Sequence, residues 1–378
     1  MRERTLYSVI IKPTRLCNAN CSYCSSTPID RTVMTGEAFE RIVDQLAPNA
    51  IDTLTMIWHG GEPMLLGPDF YLRAYDYARR KIPSVRFGIQ TNLLLYDSQR
   101  WKTVFNTVFA HRVSTSFEPD GAHRLLKGSG QAYATRFLRK LRAVMEDRVQ
   151  PVVISTLSSD TLHHADTMYD MSLTFPAGRF GLRLNYVYRA GRNLHGSEPG
   201  AREYGETLVR LYDRWIREMP GFGLVPLNQM VRRVIGAEKS RCPWSKACSG
   251  RILGVEPNGD VYNCSSFADL NDQQYRFGNI FSHAFEELMC SPAAVLAHRR
   301  RVSLPRDCLE CAHLAECEGG CMCRVVGDGG AIGDRYPMCE AWKMVFSRIK
   351  QSIRSGECDE LVRFYEINPD DVRVGMAA

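Results

Sequence analysis

The stretch Cys17-Asn18-Ala19-Asn20-Cys21-Ser22-Tyr23-Cys24 decides how the rest of the chain is interpreted. Its three thiols have the spacing C-x3-C-x2-C and follow shortly after the apolar run Tyr7–Ile11. Three thiolates on one loop can hold three irons of a four-iron four-sulfur cluster, which normally takes four cysteines. The fourth iron is then open to a bound molecule. A structural zinc ion is the rival interpretation, but tetrahedral zinc needs a fourth Cys or His nearby, and none follows until His59.

The triplet Cys17, Cys21 and Cys24, with Tyr23 inside it, resembles the signature of the radical S-adenosylmethionine (SAM) enzymes. The resemblance implies that the amino and carboxylate groups of SAM chelate the open iron. An electron from the cluster then cleaves SAM to methionine and a 5′-deoxyadenosyl radical, which takes hydrogen from the substrate. The cofactors supply this chemistry, while the protein positions them and excludes water.

The composition is that of a globular protein, because 44% of the 378 residues are hydrophobic and 24% are charged. The net charge of +6 is scattered, so we expect no nucleic-acid partner. No run approaches the length of a membrane span, and residues 1–14 show no signal peptide. Fourteen clustered cysteines without an export signal indicate metal ligands and a cytoplasmic protein.

From residue 7 to about residue 187, short β-rich runs alternate with amphipathic helical patterns. The predicted strands are Ser8–Ile11, Thr53–Trp58, Val85–Gln90, Val113–Phe117, Val152–Leu157 and Leu182–Val187. The predicted helices between them include Gly36–Leu46, Asp69–Arg80 and Ala134–Met145. We predict an α/β fold with a partial (β/α)6 barrel, similar to a TIM barrel, followed by a small cysteine-rich domain of a β-hairpin, helices and loops. In such barrels the active site lies at the carboxyl ends of the strands.

The ends of the second and third strands carry candidate SAM contacts. Gly60-Gly61-Glu62-Pro63 resembles the GGEP motif of the radical SAM family, which implies that this backbone and Glu62 hold the methionyl amine of SAM. Two glycines allow the backbone to approach a ligand closely, and Pro63 fixes the turn. Gln90 matches the SAM-contacting glutamine of the family, although Leu93 replaces the glycine that relatives carry three residues later.

The fourth strand ends in Ser116-Phe117-Glu118, which resembles a Ser-x-Asp segment whose serine contacts SAM. We therefore expect Ser116 to contact SAM. Arg124, or alternatively Lys127, is expected to neutralise the SAM carboxylate. The sixth strand contributes Asn185, which either faces the barrel interior or is a buried, hydrogen-bonded side chain.

The sequence does not identify the catalytic acid or base. The candidates are His59, Glu118 and Asp269. Relatives often carry Gln at the position of His59, so this side chain contacts SAM or substrate, or else is a hydrogen-bonded histidine without a chemical role.

A second cysteine field follows residue 241. Seven of its cysteines have the spacing C-x15-C, a gap, C-x2-C-x5-C-x3-C and, after a further gap, a last Cys. Between the first two of them, Pro257-Asn258-Gly259-Asp260 indicates the turn of a β-hairpin. The field resembles the SPASM extension of radical SAM enzymes. With Cys242 added, the resemblance implies two auxiliary four-iron clusters, the first held by Cys242, Cys248, Cys264 and Cys321 and the second by Cys308, Cys311, Cys317 and Cys339. Two structural zinc ions are the rival interpretation.

Three cysteines remain outside these sets. We expect Cys290 to be a small buried apolar residue and assign no function to Cys323 or Cys358. The predicted domains are the barrel over 1–217, a helical bridge over 218–241, the SPASM domain over 242–345 and a C-terminal helix and tail over 346–378.

The resemblance implies an enzyme that abstracts hydrogen from a residue of a ribosomally made peptide or protein and leaves a crosslinked or oxidised side chain. In layout the chain resembles anaerobic sulfatase maturases, which form formylglycine. Those enzymes carry Asp directly after the cysteine that matches Cys264, whereas Ser265 stands here, which disfavours formylglycine formation. The alternatives are a sugar or aminocyclitol dehydrogenase or epimerase, and an electron carrier with structural clusters.

The expected cofactors are SAM and three four-iron clusters, one of them binding SAM. The expected partners are a peptide or protein substrate and an electron donor such as flavodoxin or ferredoxin. Few residues precede the first predicted strand, so we expect any leader recognition to come from a separate protein. We expect neither nucleic acid nor membrane as a partner.

Overall fold

Strands and helices alternate along most of the computed structural model, which describes residues 6–27, 29–193, 196–238, 242–245 and 248–377. Its strands are β1 (Leu6–Ile11), β2 (Ala50–Trp58), β3 (Arg86–Gln90), β4 (Val113–Ser116), β5 (Val152–Leu157), β6 (Gly181–Tyr186), β7 (Gly223–Val225), β8 (Ile252–Val255), β9 (Asp260–Tyr262) and β10 (Arg276–Asn279). Its α-helices are α1 (Gly36–Leu46), α2 (Pro68–Lys81), α3 (Ser98–Thr103), α4 (Gly130–Glu146), α5 (His164–Leu173), α6 (Ala201–Glu218), α7 (Leu227–Val234), α8 (Ser265–Asp269), α9 (Phe285–Met289), α10 (Pro292–His298), α11 (Arg306–Leu309), α12 (Leu314–Cys317), α13 (Met322–Gly327), α14 (Cys339–Ser355), α15 (Asp359–Phe364) and α16 (Pro369–Ala377).

The chain divides into two compact units. Unit 1 comprises Met1–Ile154, Tyr188–Gly196 and Ala247–Val302, and unit 2 comprises Ser155–Val187, Ser197–Lys246 and Ser303–Ala378. The predicted domain boundaries stay a prediction, and the last residues of the predicted bridge, 239–241, lie outside the described residues.

The sheet of unit 1 has the strand order β10-β9-β8-β1-β2-β3-β4, and β4 pairs further with the first residues of β5. The pairs from β8 to β5 are parallel, whereas β8 with β9 and β9 with β10 are antiparallel. β8 and β9 form the predicted hairpin. The pairing of β8 with β1 places this hairpin beside β1. The predicted α/β class, with a mostly parallel sheet and a cysteine-rich C-terminal region, is confirmed.

Helix α1 shows why these sequences form helices that pack on the sheet of unit 1. Thr35 caps its start by accepting a hydrogen bond from Ala38 N at 3.1 Å. Its buried residues recur at helical spacing and are Phe39, Ile42, Val43 and Leu46. The ring of Trp58 at the end of β2 is fully buried against Phe39. Since side chains alternate along a strand, the next residue, His59, faces away from this helix layer.

Unit 2 is built largely from helices and a short parallel pair. β6 pairs with β7, and Val187 N donates to Leu157 O at 2.9 Å. Helices α6 and α14 pack together through a buried hydrogen bond between Tyr212 Oη and Ser352 Oγ at 2.6 Å. This hydrogen bond holds the last turns of α14, a helix whose first residue is Cys339.

The six predicted strands match β1 to β6 within a few residues, and α1 has the predicted bounds. The expectation that Cys290 is buried is wrong, because its side chain is exposed directly after the short helix α9. Cys323 and Cys358 are buried.

Candidate functional site

Backbone hydrogen bonds hold the cysteine loop (Cys17–Cys24) after the carboxyl end of β1. Asn20 N donates to Leu125 O at 2.8 Å, and Ser22 N donates to His123 O at 2.9 Å. Desolvation and then the neighbouring Cys21 charge raise the pKa of the Cys24 thiol. Thiols that oppose each other's ionisation need a cation to hold them as thiolates, and the irons of a cluster supply that charge. The loop therefore fits the predicted cluster.

The GGEP segment lies directly against this loop. Gly61 N donates to Thr14 O at 3.0 Å, and Glu62 N donates to Leu16 O at 2.8 Å. A Cβ atom on Gly61 would lie 2.2 Å from Leu16 O, and Gly60 has a φ of +114°. Both positions therefore require glycine, because the backbone approaches closely and, at Gly60, adopts a conformation that other residues rarely take.

The Glu62 carboxylate is fully buried, and three groups of the protein donate hydrogen bonds to it. It accepts hydrogen bonds from Met64 N at 2.9 Å, Thr91 Oγ1 at 2.7 Å and Asn92 N at 2.8 Å. Burial raises its pKa to about 7 despite these bonds. Glu62 thus ties the end of β2 to the segment after β3, and its predicted contact with SAM stays a prediction.

The segment after β3 reaches the cysteine loop from the other side. Asn92 Nδ2 donates to Asn18 Oδ1 at 2.7 Å and lies 3.6 Å from Cys17 Sγ. Gln90 Nε2 donates to Ser116 Oγ at 2.9 Å, so the structure brings together two side chains that were predicted to contact SAM. Leu93 adopts a φ of +60°, so the turn keeps a glycine-like conformation without the glycine of relatives.

Arg124 lies, largely buried, between the candidate catalytic residue Glu118 and the cysteine loop. Its Nη2 donates to Glu118 Oε1 at 3.2 Å, and its Nη1 lies 3.7 Å from Cys21 Sγ. Its guanidinium carbon lies over the ring of Tyr23, 5.4 Å from the ring centroid. The Arg124 charge is therefore balanced by Glu118. Lys127, the alternative cation, has a φ of +51° in the loop before α4.

His59 is a neutral hydrogen-bond donor in this arrangement. Its Nδ1 accepts a hydrogen bond from Gly60 N at 2.7 Å, so the proton of the neutral ring is on Nε2. Burial, followed by the charge of Lys12, lowers its pKa to about 4. Because its ring lone pair is already engaged, the geometry favours a polar contact over general-base catalysis.

The remaining candidate base, Asp269, lies inside unit 1 and is only 6% exposed. Lys12 Nζ donates to its Oδ1 at 2.5 Å, and Ser25 Oγ donates to its Oδ2 at 3.2 Å. Asn185, in unit 2 on β6, is partly buried.

Sequence reasoning missed Arg192, which lies in unit 1 and contacts the cysteine loop. Its Nη1 donates to Asn20 Oδ1 and to Cys21 O, the latter at 3.2 Å, and its backbone N donates to Cys24 O at 2.9 Å. A Cβ atom on Gly191 would lie 2.4 Å from Cys24 O. The only sequence signal was the Gly-Arg pair shortly after the sixth predicted strand, which does not by itself indicate a contact.

A cavity in unit 2 brings together Cys308, Cys311, Cys317 and Cys339. Trp342 and Phe346 also line it. Four cysteines around one cavity are the complete ligand set of a four-iron cluster, so these residues fit the predicted second auxiliary cluster. Among the described residues, no group of three or more His, Cys, Asp or Glu side chains closes around a point suited to a single metal ion.

The predicted ligands of the first auxiliary cluster are divided between the units. Cys248 and Cys264 belong to unit 1, and Cys242 and Cys321 belong to unit 2. In unit 1, Asn263 Nδ2 lies 3.8 Å from Cys248 Sγ, and Gly254 permits close approach because a Cβ atom there would lie 2.5 Å from the carbonyl carbon of Cys264. Their joint ligation of one cluster stays a prediction.

Two family models match the chain. Residues 11–166 match the radical SAM superfamily, and residues 247–312 match an iron-sulfur cluster-binding domain, SPASM. The chain therefore carries a radical SAM domain followed by a SPASM domain, as its cysteine motifs predicted. No helix among the described residues is long and apolar enough to span a membrane.

The chain is similar to anaerobic sulfatase-maturating enzymes. It is 24% identical to the serine-type enzyme of Bacteroides thetaiotaomicron, over 83% of this chain and 82% of that one, and 23% identical to the cysteine-type enzyme of Clostridium perfringens, over 90% and 95%. Its fold is that of anSMEcpe with bound AdoMet and Cp18Cys peptide (TM-score 0.78, 19% identity, 93% and 98% coverage). Streptococcus suis SuiB bound to precursor peptide SuiA is also similar (TM-score 0.65, 14% identity, 89% and 76% coverage).

Proposed function

We propose that this radical SAM enzyme abstracts hydrogen from a residue of a ribosomally made peptide or protein and leaves a crosslinked or oxidised side chain. The observation that carries the proposal is the cysteine loop itself: the GGEP backbone bonds to Thr14 and Leu16 just before it, and Asn92 Nδ2 lies 3.6 Å from Cys17 Sγ. Similarity to maturases, two of whose structures hold peptides, supports a peptide substrate over a small molecule.

Cys17, Cys21 and Cys24 would hold the catalytic cluster. When bound there, the cluster supplies the electron that cleaves SAM reductively, and hydrogen abstraction from the substrate follows. The chain's own residues bind and orient the reactants. Gly60 and Gly61 permit the close approach of the backbone.

Further side chains complete the SAM site in this proposal. Gln90 and Ser116 offer amide and hydroxyl groups to polar atoms of SAM. Arg124 lowers the negative charge around Cys21 while Glu118 keeps its guanidinium in place. Glu62 fixes the segment after β3 relative to the GGEP turn.

Cys308, Cys311, Cys317 and Cys339 would hold an auxiliary cluster with every iron ligated by the protein. Such a cluster has no open position, so its use is the transfer of electrons. With the first auxiliary set, the proposal gives three clusters in all. The reductant would be a small electron carrier such as flavodoxin or ferredoxin, and a separate protein would supply leader recognition.

The test is anaerobic reconstitution with iron and sulfide, followed by incubation with SAM, dithionite and a library of ribosomal precursor peptides. We expect 5′-deoxyadenosine together with one peptide that loses two hydrogen atoms. A deuterium label at the attacked carbon should appear in the 5′-deoxyadenosine. The proposal is wrong if no peptide is changed while a sugar or aminocyclitol is turned over.

A second candidate function is formylglycine formation, which the similarity to sulfatase-maturating enzymes favours. Ser265 stands where those enzymes carry a candidate base, and its side chain is buried. An aldehyde-trapping hydrazine separates the two functions. It labels a formylglycine product and leaves a crosslinked product unlabelled.

A further inference from the structure

Four buried charged side chains form one cluster beside the cysteine loop. This charged cluster consists of Lys12, Arg15, Glu256 and Asp269, none of which is more than 6% exposed. Lys12 directly follows β1, Glu256 directly follows β8, and Asp269 is the last residue of α8. Its four members lie on three segments that are remote in the sequence, and all belong to unit 1.

The contacts inside the cluster are short and reciprocal. Lys12 Nζ lies 2.5 Å from Asp269 Oδ1 and 2.9 Å from Glu256 Oε1. Arg15 Nε lies 2.6 Å from Glu256 Oε2, and Arg15 Nη1 lies 3.4 Å from Asp269 Oδ1. Two cations thus balance two carboxylates. Because an unpaired buried charge is very costly, each member depends on the positions of the others.

Both ends of the cysteine loop are joined to α8 through this cluster. Before the loop, Lys12 Nζ donates to Ser265 O at 3.3 Å and Arg15 Nη2 donates to Ala268 O at 3.1 Å. After the loop, Ser25 Oγ donates to Asp269 Oδ2 at 3.2 Å. The residue directly before α8 is Cys264, a predicted cluster ligand.

We infer that the charged cluster positions the cysteine loop relative to Cys264, and that Asp269 is a positioning residue. The inference rests on the proposed function, since it assigns part of that site. Charge pairing by long side chains suits this task, because the four charges specify one arrangement that apolar packing does not.

The surroundings of Asp269 do not suit it to accept a proton from substrate. Both of its carboxylate oxygens already have partners, and its side chain is almost fully buried. Burial by itself would raise the pKa of Asp269. The charges of Lys12 and then Arg15 outweigh burial and hold this pKa below its usual value, so the carboxylate stays ionised. A base needs access to the substrate and a pKa near the working pH.

The test compares Asp269→Asn, Lys12→Met and the double variant K12M/D269N in the full-length, reconstituted enzyme. The first readouts need no peptide: iron and sulfide content, the affinity for SAM, and the electron paramagnetic resonance spectrum of the reduced clusters with and without SAM. We expect each single variant to weaken SAM binding about tenfold or more, because it leaves an unbalanced buried charge beside the loop.

The double variant is expected to bind SAM more tightly than either single variant, because it removes one cation and one anion and leaves the Arg15–Glu256 pair intact. If a single variant fails to fold, the double variant still tests the inference, because its remaining buried charges are balanced. The matched control is Asp260→Asn, which breaks the partly exposed Asp260–Arg276 pair between β9 and β10 and should leave SAM affinity unchanged.

Two results would overturn the inference. One is wild-type SAM affinity and wild-type spectra in both single variants. The other is a D269N enzyme that still transfers deuterium from a peptide into 5′-deoxyadenosine but forms no product, which is the behaviour of a missing base. Because SAM binding is measured without a peptide, these results are separate from failure of the proposed peptide substrate.

Discussion

The cysteine loop of unit 1 and the cysteine cavity of unit 2 use the same ligand atom in different ways. The loop offers three thiols, and polar side chains surround them: Asn92 Nδ2 lies 3.6 Å from Cys17 Sγ and Arg124 Nη1 lies 3.7 Å from Cys21 Sγ. The cavity offers four thiols, and both aromatic and charged side chains line it: Trp342 and Phe346 on the one hand, and Arg335, which hydrogen-bonds Cys339, on the other.

This difference teaches that the number of thiols and their neighbours decide what a cluster can do. A set of three leaves one iron for a ligand, and the polar groups nearby can bind the rest of that ligand. A set of four closes the cluster, and the side chains around it adjust its potential. In the proposed function, binding of SAM and substrate therefore belongs to unit 1, and unit 2 contributes electron transfer.

The largest expected effect comes from changing Cys17, Cys21 and Cys24 together to Ala. We expect reconstituted iron to fall from about twelve to about eight per chain and SAM cleavage to disappear, because only the open cluster is lost. Iron analysis and 5′-deoxyadenosine assays check this, with Cys290→Ala as the exposed-cysteine control. A variant that still cleaves SAM would contradict the assignment of SAM cleavage to the cysteine loop.

The next effect should come from changing Cys308 and Cys311 to Ala. About four irons should be lost, while SAM cleavage without peptide is retained, because the cavity supplies no SAM ligand. Product formation should fall severely. If the variant loses SAM cleavage but keeps all its iron, the cavity does not hold a separate cluster.

A smaller effect is expected from Gly61→Ala, which tests whether the loop site needs close backbone approach. The added Cβ atom would meet Leu16 O, so the GGEP segment must move away from the loop. We expect SAM affinity to fall at least about tenfold and the melting temperature to drop by several degrees. Gly36→Ala is the control, since nothing lies within 4 Å of its Cβ position; equal effects in both variants would contradict the prediction.

The smallest effect is expected from His59→Gln, because an amide can replace a neutral ring N–H donor. SAM-cleavage activity should stay within about threefold of wild type. The wild-type rate should not report His59 titration between pH 6 and pH 8, since its pKa in the folded protein is about 4.

The same pKa shift predicts the effect of acid on stability. The folded pKa of His59 lies below the usual value near 6.5, so its neutral form contributes stability above that value, and this contribution is lost as the pH falls towards 4. The free energy of unfolding should therefore fall less steeply in H59Q between pH 6.5 and pH 4. Equal slopes in the two proteins would show that His59 is not held neutral.

The sequence by itself determined the class of the protein and most of its strands. Fixed cysteine spacings follow from the geometry of a cluster on a short loop, and the two-residue and 3.6-residue periodicities follow from burial on one face of a strand or helix. These are local properties, so Cys17, Cys21, Cys24 and the GGEP turn could be recognised in the chain before any contact was known.

Only the tertiary structure decided which partners the side chains meet. The pairing of Lys12 with Asp269, the use of the Glu62 carboxylate by Thr91 and Asn92, and the contact of Arg192 with the cysteine loop all join residues far apart in the sequence. Composition and spacing carry no information about such contacts, because they depend on which strand ends meet at the same edge of the sheet.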